Sequence, residues 1–170
     1  QGKYRYADLE PASEHLIQFL QERLPSAKTS LIGAIRRKSN LVERIEVLIG
    51  TDSDLEEIAI ASQIQVSETQ PNQIQGTTEE GVPVTILICS PDEFGSKLFR
   101  FTAGVEFLSA FISLHPGVDF SKLGNEQDVF AKSSLSWLEP ELRDNDKFIS
   151  LAQNEKIPKL LNLQDIQGVV

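Results

Sequence analysis

The run Val82–Cys89 (VPVTILIC) constrains this chain more than any other segment. It is almost wholly apolar, without the alternation of a strand that has one wet face. A strand of that kind is covered on both sides and belongs in the middle of a sheet. Cys89 at its end then reads as a buried core thiol. Two further strands are expected beside it. Residues 28–32 form a short one ending at Gly33. Arg44–Ile49 forms another, with Ile45, Val47 and Ile49 alternating with Arg44, Glu46 and Leu48. Residues 63–67 and 73–77 supply two more.

Helices surround these strands. Residues 8–24 carry Leu9, Leu16, Phe19, Leu20 and Leu24 at helical spacing, with Asp8 as N-cap, Pro11 in the first turn and His15 at the surface. Residues 52–62 open with an Asp/Ser cap, carry Leu55, Ile58 and Ile60, and read as a short helix. One long helix is expected over 92–113, with Phe94, Leu98, Phe101, Val105, Leu108 and Ile112 on its core side and His115-Pro116-Gly117 as its stop. This order predicts an α/β (α+β) fold with a mixed central sheet flanked by helices. Residues 118–170 are more acidic and broken by Pro140 and Pro158, and read as a small helical lobe with room for one hairpin.

Composition sets the outer bounds. The 170 residues are 40% hydrophobic and 24% charged, which excludes wholesale disorder. A chain of this length buries roughly 70% of its unfolded surface and needs no disulfide or metal staple. Its single cysteine excludes an intrachain disulfide and a Cys-based zinc site. No apolar run approaches a membrane span, and no secretory leader is visible, so a cytoplasmic location without a membrane partner is expected. The first residue is not methionine, which fits a piece of a longer protein. The net charge of −9 is uneven. Residues 1–50 hold eight Lys and Arg against six Asp and Glu, and residues 51–170 hold eight against nineteen. Taken whole, the chain repels nucleic acid.

The basic residues gather in the stretch Gly33–Gly50 (GAIRRKSNLVERIEVLIG). A glycine lets backbone approach a phosphate, arginines clamp phosphate oxygens, and residues 44 and 46 share one strand face. Here the sequence resembles the palm of the family X DNA polymerases, the polymerase beta-like group. In that family a Gly-Ser-x-Arg-Arg turn leads, seven residues after the second arginine, to an Asp-x-Asp strand. This chain has Gly33-Ala34-Ile35-Arg36-Arg37 and, at the same spacing, Arg44-Ile45-Glu46. Val84–Gly104 is similar to the family's third-aspartate strand followed by Pro-x-x-Phe-Gly and Tyr-Phe-Thr-Gly-Ser. Val129–Asp144 resembles the thumb stretch around Pro-Pro-Glu-Leu-Arg-Glu. Ile157–Gly168 is similar to the junction before the PHP phosphoesterase domain of bacterial members. The resemblance implies a palm over residues 1–113, and a thumb-like lobe with a C-terminal linker over 114–170.

The departures from the family pattern shape the functional expectation. Two magnesium ions held by three aspartates need clustered carboxylates. The matching positions here are Arg44, Glu46 and Thr85. A guanidinium at the first adds a permanent positive charge, so magnesium binding and catalysis are expected to be lost. Ala34 stands at the family's phosphate-binding serine, and Arg100-Phe101-Thr102-Ala103-Gly104 lacks the usual tyrosine and Gly-Ser step. Gly33, Arg36 and Arg37 remain as a candidate phosphate site. Two readings of them stand, a vestigial anion site or a turn whose arginines pair with carboxylates. Trp137 is a stacking platform or a core anchor. Arg143 and Glu141 are expected to fix the lobe by local hydrogen bonds, with the acidic residues of 119–146 facing solvent. Three functions follow. The first is a non-catalytic module binding DNA or nucleotide phosphate within a longer repair-type protein, with a PHP domain supplying chemistry. The second is a structural or protein-interaction domain. The third is a divergent, active nucleotidyltransferase.

Overall fold

A computed structural model of the protein describes residues 3–153. The chain is mixed α/β, as the sequence predicts. A five-stranded sheet is built from β2 (Lys28–Leu31), β4 (Ile45–Gly50), β5 (Gln65–Gln70), β6 (Gln73–Thr77) and β7 (Pro83–Cys89), in the order β2-β4-β7-β6-β5. The apolar run is therefore the third strand of five. It lies parallel to β4 and antiparallel to β6, and the other pairs are antiparallel. A second, two-stranded sheet joins β1 (Tyr4–Arg5) to β3 (Leu41–Val42). Strands this short leave no periodicity to read.

Both faces of β4 are covered. Ile45, Val47 and Ile49 pack against Leu9, Leu16 and Leu20 of α1 (Tyr6–Arg23) and Ile58 of α3 (Leu55–Ser62). Leu48, expected beside Arg44 and Glu46 on a polar face, is fully buried against Ile32, Phe94 and Leu98. Each such leucine contributes about 1.5–3 kcal/mol by leaving water.

Several expectations need correction. Helix α1 starts at Tyr6, two residues before the expected Asp8 cap, because the β1–β3 pair fixes its entry and the Tyr6 N–H donates to Asn40 O at 3.1 Å. That bond satisfies one of the amide groups a helix start leaves unpaired. Asp8 sits in the first turn and accepts from Arg5 Nε at 3.0 Å. Pro11 falls inside the helix. In α3, Asp54 caps by accepting from the Glu57 N–H at 2.9 Å. Ile60 is 70% exposed, because Ile58 and Ala61, three apart, take the inner face. The hairpin strand expected at 63–67 runs over Gln65–Gln70; it is exposed throughout and carries a bulge between Val66 and Glu68.

The single helix expected over 92–113 is two: α4 (Phe94–Thr102), preceded by a 3₁₀ turn at Pro91–Glu93, and α5 (Val105–Leu114). The break is at Ala103–Gly104. Gly104 caps α5, its N–H donates to Arg143 O at 2.9 Å, and a Cβ there would lie 2.1 Å from Asp144 O. The break resets the helical phase. Phe107 and Phe111 go inward, whereas Val105 and Ile112 are 83% and 59% exposed. With Phe99 they build a second core, shared with α6 (Glu126–Ser133), Leu138, Leu142 and α7 (Ile149–Gln153). That core takes residues from both sides of position 113. No strand occurs over 118–153 among the described residues. The resemblance at Ile157–Gly168 lies outside them.

Gly104→Ala should destabilise the fold by about 1–3 kcal/mol, since the clash is with backbone. Thermal denaturation followed by circular dichroism should show a lowered Tm; an unchanged Tm would mean the α4–α5 corner does not depend on that contact.

Candidate functional site

Gly33 opens α2 (Gly33–Arg36), directly after Ile32. Its φ is +66°, and a Cβ would lie 2.3 Å from Glu46 Oε1. Left-handed backbone and the carboxylate's approach both favour glycine there, since a side chain would have to displace the Glu46 carboxylate. Glu46 on β4 is the register partner of Thr85 on β7. Arg44 Nη1 donates to Thr85 Oγ1 at 3.4 Å. The three positions that the resemblance marks for metal ligands are thus adjacent in space.

Their chemistry does not fit a divalent ion. They offer one carboxylate, one hydroxyl that is already accepting, and a guanidinium that cannot lose its charge. Burial pushes the Glu46 carboxyl above the usual range; Arg44 and Arg37 pull it back only in part. Among the described residues there is no group of three or more His, Cys, Asp and Glu able to hold a metal. A recess of about 280 Å³, bordered by Lys3, Ala34, Arg44 and Glu46, opens next to the turn.

The other two candidates, Arg36 and Arg37, point elsewhere. Arg36 Nη1 and Nη2 each donate at 2.9 Å to Glu126, one to each carboxylate oxygen, and Nη1 also reaches Thr102 Oγ1 at 2.8 Å. Arg143 Nη1 donates to Glu126 Oε2 at 2.6 Å, and Arg143 Nε donates to Leu138 O at 2.8 Å. Glu126 is 4% exposed and Arg143 0%. The Arg143 guanidinium carbon lies 4.7 Å and 4.9 Å from the ring centres of Trp137 and Phe130, and its buried Nη2 has no hydrogen-bond partner among the described residues. Burial opposes ionisation of Glu126, but the Arg36 hydrogen bond and the two guanidinium charges outweigh it and hold its carboxyl below the usual range. Arg37 is held more loosely. Its Nε donates to Asp144 Oδ1 at 3.1 Å and its Nη1 to Thr102 O at 2.9 Å, and Asp144 itself is largely exposed.

Glu126 is the residue that sequence reasoning missed. It sits in an acidic first turn after the Asn125 cap, where a carboxylate is ordinary, so nothing marked it as buried. The expected solvent-facing acidic surface over 119–146 is corrected at this residue: two cations make its burial tolerable. Arg143 does make the expected local bond, but its main partner is 17 positions away. Glu141 pairs with Lys38 at 3.7 Å rather than within its own segment. Trp137 is partly buried against Phe130 and donates to Glu139 Oε1 at 3.2 Å. The thiol of Cys89 is only half-buried rather than sealed in the core, and burial pushes its pKa up to about 11.

No protein-family model matches the chain, and no curated protein matches it.

Two outcomes test this geometry. Glu126→Ala leaves two guanidinium groups facing each other without a counter-charge and should cost about 3–5 kcal/mol in urea denaturation; a loss under 1 kcal/mol, as at surface pairs, would contradict it. Glu46→Gln should raise Tm at neutral pH. A carboxyl whose folded pKa is raised binds its proton more tightly in the folded state, so it lowers stability as pH climbs through that range. The gain should shrink toward zero as the pH falls below the ordinary carboxylate pKa; a gain independent of pH would mean that the charge is not its cause.

Proposed function

We propose that this chain is a catalytically inactive, family X polymerase-like core, one module of a longer repair-type protein, which now serves as a structural or partner-docking domain. The observation that carries the reading is the Arg36–Glu126–Arg143 cluster. A guanidinium with both terminal nitrogens bonded to a buried carboxylate is not free to clamp a phosphate, and its release would uncover a buried charge. The guanidinium of Arg44 beside Thr85 supports the loss of chemistry, since it stands where the resemblance calls for metal ligands. The net charge of −9 adds a repulsive field toward nucleic acid.

One observation favours a second reading, a residual site for DNA or nucleotide phosphate. Among the described residues the hydrogen bonds of the Arg37 side chain go to an exposed Asp144 and one carbonyl, so a phosphate could take that carboxylate's place.

Fluorescence anisotropy with a short gapped duplex, at low and moderate salt, separates the readings. The structural reading expects no binding at either salt and no magnesium- or manganese-dependent label transfer. Binding that weakens steeply with salt and disappears in Arg37→Ala would establish the phosphate reading instead. Label transfer abolished by Glu46→Ala would overturn both. The double substitution Arg44→Asp/Thr85→Asp should create magnesium affinity measurable by calorimetry; without it, the assignment of these positions fails.

A further inference from the structure

We infer that the cavity between α4 and the loop following α5 binds a small amphipathic monoanion, an apolar body with one acidic head group. The cavity measures about 290 Å³, at the small end of ligand pockets. Its floor is aromatic and aliphatic, from Phe99, Leu108, Phe111 and Phe120. Ile112 at its mouth is 59% exposed, an apolar side chain left in water that an apolar ligand would cover.

Charge decides the class of ligand. Lys97 and Arg100 border the cavity, and their spacing of three residues on α4 places them on one edge. Among the described residues neither has a carboxylate within ion-pair distance, whereas Arg5, Arg36, Arg37 and Arg143 each hold one. Lys97 Nζ lies 6.0 Å from the centre of the Phe101 ring, and Lys97 and Arg100 together supply the positive charge at this apolar opening. Both acids on the rim stay negative: Asp119 Oδ1 accepts the Ser121 N–H at 2.9 Å, and Glu93 Oε2, 3.0 Å from Ser90 Oγ, competes for that hydroxyl's single proton with Asp92 Oδ1 at 2.6 Å. A single negative head therefore goes to the α4 edge, where it gains two charge-assisted donors, while a dianion would also meet the rim carboxylates. The cavity shares no residue with the Arg44–Glu46–Thr85 face or the Arg36–Glu126–Arg143 cluster, so the inference stands apart from the proposed function.

The probe is 1-anilinonaphthalene-8-sulfonate, an aromatic monoanion whose fluorescence rises in apolar surroundings. It is displaced from the native protein by decanoate in one series and by decanol in another. Decanoate should compete at a concentration at least roughly ten-fold lower than decanol, the ratio for the first of its two charge-assisted contacts alone. Lys97→Ala/Arg100→Ala should abolish that preference and leave decanol unchanged. Ile112→Trp, a change at an exposed side chain, should narrow the mouth and weaken the dye and both competitors while Tm stays constant. Absence of dye binding, a decanoate preference surviving loss of both cations, or dye binding unaffected by Ile112→Trp would each overturn the assignment.

Discussion

A carboxylate taken out of water between two guanidinium groups holds the two cores of this molecule together. Glu126, on α6, reaches Arg36 in the turn after β2 and Arg143 near the end of the second core. Neither charge type could be buried alone. The bidentate geometry to Arg36 and the aromatic faces around Arg143 make the group's desolvation tolerable. Thr102 adds two contacts at the same junction, its hydroxyl to Arg36 and its carbonyl to Arg37. The position of α4 relative to the sheet thus depends on charges as well as on Phe94 and Leu98.

Much of the fold was legible because it rests on local patterns. The apolar run at 82–89 announced a central strand, and the leucines of α1 announced one buried stripe. What stayed hidden depended on distant residues. The glycine at 104 does not by itself stop a helix; its N–H leaves the helical ladder for the Arg143 carbonyl, and the Asp144 backbone leaves no room for a Cβ there. Once the helix is broken, Val105 and Ile112 turn outward, and the sequence stripe through 92–113 describes a helix that does not exist. The short β1–β3 pair and the early start of α1 were hidden likewise, because each depends on backbone bonds across the chain.

The candidate site was half legible. The family resemblance brought Arg44, Glu46 and Thr85 to notice, and the register of β4 with β7 places the latter two side by side. Sequence could not say where the arginines of the turn point. Arg36 and Arg37 are adjacent in sequence, yet one is bonded to a buried carboxylate and the other to an exposed one. The difference lies in Glu126, whose neighbours in sequence give it the look of an ordinary helix-start acid.

The exposed outer strand of the sheet bears on how copies of this molecule behave when crowded. A free strand edge offers unpaired amides and carbonyls that another chain can zip onto. Here every residue of β5 on that edge is exposed, but its bulge between Val66 and Glu68 interrupts the regular spacing such pairing requires, and Glu68 adds a charge at the same point. An edge interrupted in this way is a poor template for an added strand.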